Sequence, residues 1–252
     1  MSRVTNIIND VRLELGDTSS QRYTDDILIR QLNIATENFI FATKCLKERI
    51  YMGLGTASAI YDMRNYVLEF ERVEYNNNKI EALSFTELDN ISSEWQTEIG
   101  EEVKYVTFDH LPRGMIRVYP RVSGAFNNIE QNSLYGGLID ITINDDTYQI
   151  PSIEDVEENL EKYLVLYVLK KPKLITISTL DSELELHSSY DQALIHFIKA
   201  KLLRNDTDAI NRQYGNEELQ LYNNFCSRVI VDNSKSNNVA QTRVVKYNGG
   251  FE

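Results

Sequence analysis

Apolar residues follow a helical period at both ends of the chain and an alternating or continuous pattern in the middle. The clearest helical stripe lies within 22–46, with apolar residues spaced by four and three at Leu28, Leu32, Ala35, Phe39, Ala42 and Leu46. This spacing predicts one amphipathic helix. Thr24 stands at the N-cap position. Asp25 and Asp26 follow in the first turn, where carboxylates meet the positive end of the helix dipole.

Three further helices are predicted, one near the N-terminus and two near the C-terminus. The first carries its apolar residues at Val4, Ile7, Ile8, Val11 and Leu15, and Gly16 ends it as a left-handed cap. The second begins near Ser188, with Tyr190, Ala193, Leu194, Phe197, Ile198 and Leu202 on one face. The third spans 208–231, with a predicted stripe of Tyr214, Leu221, Tyr222, Phe225 and Val229.

The middle of the chain predicts strands and turns. Residues 67–70 form a short strand, and residues 72–75 and 79–83 form a hairpin turned by three consecutive asparagines. Further strands are predicted at 104–108, 115–119 and 138–143, with a return at 148–150, and Ser84 caps a short helix over 85–91. The continuous apolar run 160–169 fits a buried strand or a helix, and its Val and Tyr content favours a strand.

Together these elements predict an α+β fold. We expect residues 1–47 and 187–231 to form a helical bundle and residues 48–186 to form an inserted β-rich domain, in which 121–159 departs from the pattern of the family named below and is interpreted as an added hairpin. Residues 232–252 lack a stripe long enough to fold alone. They are interpreted either as a disordered tail or as an extended C-terminal arm that orders on a partner.

Composition and charge exclude some classes of function. The formal charge of −12 argues against a protein that grips nucleic acid by its phosphates, although DNA can pass an acidic wall without binding. The chain lacks an apolar run of about 18 residues, which predicts no membrane span. The N-terminal segment does not resemble a signal peptide, so we expect folding in a cytosol.

Candidate chemistry is sparse. His110, His187 and His196 lack partners at metal-ligand spacing, and Cys45 and Cys226 are expected to be free thiols in a cytosolic protein. Acidic residues cluster at Asp25-Asp26, Glu101-Glu102, Asp145-Asp146 and 155–158. Adjacent carboxylates in polar loops are typical of a solvated surface. We therefore expect no catalytic residue, no metal and no cofactor.

Three stretches, in order, resemble one family. The first runs Arg22-Tyr23-Thr24-Asp25-Asp26 and on through 27–35. The second is Trp95 followed by 105–109 and by 111–120, a strand, a proline turn and a strand ending in Tyr-Pro. The third spans 186–197 and the helix that reaches Tyr222 and Phe225. The chain resembles the head-to-tail adaptor proteins of tailed phages, the connector or neck-ring proteins of the podovirus or crAss-like type. Residues 121–159 and the tail after Asp232 depart from that pattern.

The resemblance implies a structural virion protein without enzymatic activity. Such proteins form a homo-oligomeric ring, usually of twelve copies, between the portal protein and a tail or second ring protein. Genomic DNA passes through the ring without specific binding, and the location would be the virion neck after assembly in the host bacterial cytoplasm. By the same analogy the C-terminal arm contacts the portal or a neighbouring subunit through Arg243, Val244, Val245, Lys246, Tyr247 and Phe251.

The long helix carries apolar residues beyond one face. Ile27, Ile34, Ile40 and Phe41 lie off its main stripe, so the helix needs a second partner, either the β-rich domain or another subunit. The family interpretation favours subunit packing. Two alternatives stay open: a tail or collar ring further from the portal, and a hydrolase that uses two carboxylates of the middle domain.

Overall fold

The structure is a computed structural model that describes residues 2–54, 59–122, 141–143, 146–148, 163–180 and 183–247. Within these ranges the chain is mixed α and β, with five α-helices and a curled seven-stranded sheet. It divides into two compact units, a helical unit of Met1–Leu46 and Pro172–Glu252 and a β unit of Lys47–Lys171. Residues 172–186 therefore group with the helices, whereas the sequence analysis placed them in the β-rich insertion.

Four of the helices belong to the helical unit: α1 (Arg3–Glu14), α2 (Asp25–Thr43), α4 (Asp191–Arg204) and α5 (Ala209–Tyr247). Thr24 is the N-cap residue of α2, as predicted, although its side chain makes no capping hydrogen bond. Gly16 follows α1 with φ +68°, the left-handed conformation predicted for it. Helix α2 ends earlier than predicted because Lys44 turns left-handed at φ 53°.

The core of the helical unit follows the predicted stripes of α1 and α2. Val4, Ile7, Ile8 and Val11 of α1 are buried, and so are Leu28, Leu32, Ala35 and Phe39 of α2. The Phe39 ring lies 5.0 Å from Tyr190, 6.4 Å from Tyr222 and 6.3 Å from Phe225, measured between ring centroids. The predicted stripe is wrong at its far end, since Ala42 is exposed and Leu46 lies beyond the helix.

Helix α5 packs through a different face from the predicted one. Its buried residues are Gly215, Tyr222, Cys226 and Val229, whereas Tyr214 and Leu221 are exposed. Gly215 permits close approach to α4, because a Cβ atom there would lie 2.7 Å from Arg204 Cγ and 2.8 Å from Arg204 N. Glycine has a low helix propensity and so made a helix at 215 less expected from sequence. Here the close packing of α5 against α4 requires it.

Helix α5 also continues well past the predicted boundary at Val231. Its backbone is helical to Tyr247, so residues 232–247 are not the extended arm that the sequence analysis expected. No proline or glycine interrupts 232–247, and Gly249 and Gly250 follow it. Because neither strong helix breaker occurs before Gly249, the helix continues through a polar stretch that has no obvious stripe.

The β unit contains the seven-stranded sheet and helix α3 (Phe85–Ile91). The strands of this sheet are β1 (Lys47–Gly53), β2 (Ile60–Asp62), β3 (Val67–Tyr75), β4 (Asn78–Ala82), β6 (Tyr105–Thr107), β7 (Met115–Tyr119) and β11 (Tyr163–Lys170). Their order is β1-β11-β3-β4-β6-β7-β2, antiparallel except for the parallel pair β4 and β6. The run 160–169, ambiguous by periodicity, is confirmed as a strand over Tyr163–Lys170.

Two short strand pairs complete the β unit. Strand β5 (Ile99–Gly100) pairs in parallel with β8 (Arg121–Val122), and β9 (Ile141–Ile143) pairs antiparallel with β10 (Asp146–Tyr148). The β9–β10 pair confirms a hairpin close to where the Ile alternation predicted it. The remainder of the predicted 121–159 insertion, apart from β8, lies outside the described residues.

The β unit has two hydrophobic clusters, one on each side of its curled sheet. The larger joins Ile50 and Met52 of β1 to Ile116 and Val118 of β7, although these strands lie far apart in the sheet order. The sheet must therefore curl around this cluster. The smaller cluster packs Leu88 of α3 with residues of the loop and strands that follow it, Trp95, Tyr105 and Tyr119.

Candidate functional site

The outer face of α2 carries a row of apolar residues that the helical core does not use. Ile27 is 40% exposed, Phe41 is 37% exposed, and Ile34 is half-buried between them. These residues are spaced by seven, so they lie on one side of the helix. Lys44 adds a cation to the row, since its Nζ atom lies 4.5 Å from the centre of the Phe41 ring. This row has the mixed apolar and charged character of a protein-binding surface.

Ile40 does not belong to this surface. The sequence analysis grouped it with Ile27, Ile34 and Phe41, but Ile40 is 0% exposed within its own chain. Helix α2 packs against both α4 and α5, which widens its buried face and encloses residues beyond a single stripe. Because Ile40 is already covered, it is unavailable for contact with a second copy, and the candidate subunit-packing set is reduced to the other three residues.

Helix α5 presents a second exposed apolar row. Ile210 is 62% exposed, Tyr214 is 54% exposed, and Leu221 is 48% exposed, and Val231 continues the same side of the helix. Polar residues at 217, 224 and 228 alternate with them. Isolated apolar residues on a surface need no explanation, but a row at helical spacing is typical of a helix that packs against another protein.

The C-terminal part of α5 runs past the ends of its neighbouring helices. Helix α4 begins near Phe225, where Tyr190 contacts that ring, and α2 ends at Thr43, whose carbonyl accepts a hydrogen bond from Asn233 Nδ2 at 3.4 Å. The helix then continues from 234 to Tyr247. At 1.5 Å per residue this extension is about 20 Å long.

The residues predicted to contact the portal or a neighbouring subunit fall on this extension and beyond it. Arg243, Val244, Val245, Lys246 and Tyr247 belong to helix α5 rather than to an extended arm. Phe251 lies outside the described residues. The segment that the resemblance singled out is therefore presented on a helix.

An ion network centred on the buried Lys199 joins three helices of the helical unit. The Lys199 ammonium on α4 donates hydrogen bonds to Glu14 of α1 at 2.5 Å and to Glu218 of α5 at 2.6 Å. His196 Nδ1 lies 2.6 Å from the other Glu218 oxygen. Burial opposes ionisation of both groups, but the hydrogen bonds outweigh it, raising the pKa of Lys199 and lowering the pKa of Glu218. The network is saturated with its own partners, which indicates a structural role.

A second network holds the turn between α1 and α2. The Asp17 carboxylate accepts hydrogen bonds from the backbone N–H groups of Gln21, Arg22 and Tyr23. Arg12 contacts Asp17 at 3.2 Å and Asp25 at 2.6 Å. The backbone donors, led by Arg22, outweigh burial and lower the pKa of Asp17. The acidic start of α2 therefore anchors a turn, and no signal in the sequence singled out Asp17 for this role.

The described residues bring together few groups suited to catalysis. Among them, no three His, Cys, Asp or Glu side chains are arranged to hold a metal ion. Glu101 and Glu102 are exposed, and Cys45 and Cys226 are free thiols, half-buried and buried respectively. His110 is exposed beside the Phe85 ring, at 5.1 Å between centroids. In the described part of the chain, no helix is both long enough and apolar enough to cross a bilayer.

The second stretch of the family resemblance forms one aromatic cluster in the β unit. The Trp95 ring lies 5.0 Å from Phe85 and 6.2 Å from Tyr119, and the Arg117 guanidinium lies 4.7 Å from Trp95. The indole N–H donates to Asp89 at 2.7 Å. Trp95 thus fixes α3 and the following loop against β7, which accounts for a tryptophan at this position by packing.

Comparison with protein-family models and with curated proteins finds no match to this chain. The family resemblance therefore depends on the residues and order of elements described above.

Proposed function

We propose that this protein is a structural adaptor of a phage neck, which assembles as a ring between the portal and the tail. The observation that carries the proposal is the pair of exposed apolar rows on α2 and α5, together with the extension of α5 beyond its neighbouring helices. Exposed apolar rows of this kind are typical of surfaces that pack against other protein chains. No catalytic step is part of the proposed role.

The order of elements supports the same proposal. Both ends of the chain contribute to the helical unit, and 47–171 forms the β unit between them in sequence. We propose that the helical unit acts as the ring-forming bundle, with the β unit as its insertion. The net charge of −12 suits a ring through which DNA slides, because like charges at the wall repel phosphates.

Two surfaces take different roles in this proposal. Ile27, Ile34 and Phe41 contact a neighbouring copy of the chain. The helical extension that carries Arg243 to Tyr247 contacts the portal protein. The extension replaces the extended arm of the sequence analysis.

The test of subunit packing is light scattering after size-exclusion chromatography, with and without portal protein. Ile27→Ser combined with Phe41→Ser is expected to abolish the portal-dependent ring while leaving the fold intact, since both residues are exposed. Ile91→Ser is the matched control, because Ile91 is an exposed apolar residue of the β unit. Rings that form unchanged with the double variant would contradict the proposed packing.

The test of portal contact is removal of residues 234–252. The truncated chain keeps Asn233 and its hydrogen bond to Thr43, so the helical unit should fold. We expect loss of co-migration with portal particles. Unchanged co-migration would refute the assigned role of the extension. If the protein bound the next ring on the tail side and not the portal, it would be assigned to the collar or tail ring one layer further from the capsid.

A further inference from the structure

The outer row of α2, formed by Ile27, Ile34 and Phe41, has an ordered pattern of charges beside it. Arg30 lies four residues before Ile34, and Glu37 lies three residues after it. With 3.6 residues per turn, both side chains fall on the same flank of the row. Both are exposed, and neither forms an ion pair with another described residue. The face therefore alternates between apolar and charged positions, and its two charges have opposite signs.

This pattern is complementary to itself when the helix is reversed. If two copies of α2 lie antiparallel with Ile34 opposite Ile34, Ile27 of each copy lies opposite Phe41 of the other. In an antiparallel pair related by a twofold axis, equivalent flanks of the two helices lie on the same side of the pair. Arg30 of one copy then comes within about 2 Å, measured along the helix axis, of the level of Glu37 of the other. Three apolar contacts and two ion pairs therefore form together.

The ends of α2 continue the same pattern. The exposed Asp26 lies on the flank that carries Arg30 and Glu37, eight residues before the central Ile34. Lys44, the C-cap residue, lies ten residues after Ile34, and its Nζ atom stands 4.5 Å from the centre of the Phe41 ring. Reversal brings Asp26 of one copy to within about 3 Å of the level of Lys44 of the other. The order of charges is thus negative, positive, negative, positive, which matches its own reverse.

A parallel pair lacks this match. Its twofold axis runs along the helices, so the flank that carries Arg30 and Glu37 meets the opposite flank of the second copy. That flank carries the uncharged residues Gln31 and Asn38. Exposed ion pairs add little affinity, but complementary charges select the partner and its orientation. The charges therefore identify a second copy of this chain, in antiparallel orientation, as the occupant of this face.

The surface available for such a contact is one helix and the segment beside it. Asn33 of α2 holds that segment through two hydrogen bonds with the backbone of Ile175, at 2.8 Å and 2.9 Å. Leu174 and Ile177 of the segment are exposed apolar residues. An interface of this extent lies at the low end of specific protein interfaces, so we expect a dimer Kd between about 1 μM and about 1 mM.

We propose that two free copies of this chain associate through the outer row of α2, with the helices antiparallel and Ile34 on the twofold axis. A contact that uses the same patch on both copies closes at two. The inference does not rest on the proposed adaptor function, because it concerns the chain without any other protein. The row cannot contact a ring neighbour and an antiparallel copy at the same time, so a ring that uses the row forms only after the dimer opens.

The experiment is sedimentation equilibrium of the full-length protein without portal, at concentrations up to about 1 mM. The wild type should change from monomer to dimer within this range. Arg30→Glu converts two ion pairs into contacts between like charges, so it should raise the dimer Kd about tenfold or more. Glu37→Arg should have the same effect. The double variant Arg30→Glu with Glu37→Arg restores the pattern and should return the Kd to within about threefold of the wild type.

Arg212→Glu is the matched control, because it makes the same change of net charge at an exposed position of α5 and should leave the Kd unchanged. Far-UV circular dichroism reports whether each variant is folded. The proposal would be overturned by a wild type that stays monomeric at about 1 mM, by an unchanged Kd for Arg30→Glu, or by a double variant no tighter than the single variants. None of these outcomes decides whether a ring forms on the portal, since the portal is absent.

Discussion

The helical unit buries charge, whereas the β unit buries almost none. Of the described residues, the buried charged side chains are Arg12, Asp17 and Lys199, and all three lie in the helical unit. The buried polar residue of the β unit is the uncharged Thr107, whose hydroxyl accepts a hydrogen bond from the Asp109 N–H at 3.1 Å. The two units therefore respond to different perturbations.

The difference follows from how each unit is assembled. The β unit forms from a continuous stretch, and strand ladders satisfy its backbone while alternation brings apolar side chains into its core. The helical unit must join segments from opposite ends of the chain. Ion pairs link the N-terminal and C-terminal segments, since Lys199 contacts Glu14 and Arg3 contacts Asp191. A buried ion pair adds little net stability. A wrongly paired helix, however, would leave a buried charge without a partner, and this cost favours the correct helix pairing.

The largest expected effect comes from Phe39→Ala in the helical core. Phe39 is fully buried against three aromatic rings, so its truncation should cost about 4 kcal/mol of unfolding free energy. The denaturation curve followed by far-UV circular dichroism should shift, while Trp95 fluorescence reports the β unit. Leu166→Ala is the counterpart in the β unit and should shift the fluorescence curve. If either variant shifted the circular dichroism curve and the fluorescence curve together, the result would contradict independent unfolding of the two units.

A smaller effect is expected from Lys199→Met. The substitution keeps the length of the side chain but leaves Glu14 and Glu218 without their shared cation. Loss of one partner from a buried pair costs 3–5 kcal/mol, and partial exposure of Glu14 reduces the expected loss here to about 2 kcal/mol. Lys173→Met is the control, because Lys173 is an exposed residue of the same unit. Equal stability of the two variants would show that the network contributes little.

The charged groups of the helical unit predict how its stability depends on pH. The folded pKa values of Asp17 and Glu218 are lowered, and backbone N–H donation from Asp208, with further bonds from Asn211 and Arg22, lowers the pKa of Asp206 to about 2. Their stabilising contribution is therefore complete above the ordinary carboxyl pKa and is lost as pH falls through the folded values. The raised pKa of Lys199 acts in the opposite direction, so its contribution is lost as pH rises through the folded value.

We therefore expect the circular dichroism transition to weaken below about pH 4. Asp17→Asn should flatten this acid dependence. Asp232→Asn, at an exposed position of the same unit, provides the comparison. If the wild type and Asp17→Asn lost stability identically on acidification, Asp17 would not be a source of the acid dependence.

The smallest predicted effect concerns a backbone position of the helical unit. Gly16 has φ +68° and open space around it, so Gly16→Ala meets no clash and should cost only the conformational strain, about 1 kcal/mol. Gly16→Asn should cost less, because asparagine tolerates the left-handed region. The loss should be independent of pH, unlike that of Asp17→Asn. A loss that grows on acidification would link Gly16 to the charge network.

The stripes of α1 and α2 could be predicted from sequence because an amphipathic helix records its buried side in its own period. The stripe of α5 could not. Tyr214 and Leu221 are apolar enough to suggest a core, but Gly215, with no side chain to count, marks the side that approaches α4. Ile40 was assigned to a surface because it lies off the main stripe. It is buried because α2 has two neighbouring helices rather than one.

The candidate surfaces show the same division. The outer row of α2 was predicted in part, since Ile27, Ile34 and Phe41 lie off the main stripe by spacing alone. The end of the β3–β4 ladder was not predicted. Sequence located the hairpin turn at the asparagines, but the length of the ladder depends on where β4 leaves β3 to join β6.

Local patterns in the sequence predicted the helices at both ends, strands β3, β4, β6, β7 and β11, the Thr24 cap and the Gly16 turn. Each of these depends on residues close together in the chain, where period, φ preference and charge act directly. Strands β1 and β2 were not predicted. Tertiary contacts set which face of α5 is buried, which acids hold Lys199, and where the β3–β4 ladder ends. Such contacts join residues far apart in the chain, such as Glu14 and Lys199, which are 185 positions apart and which no local pattern brings together.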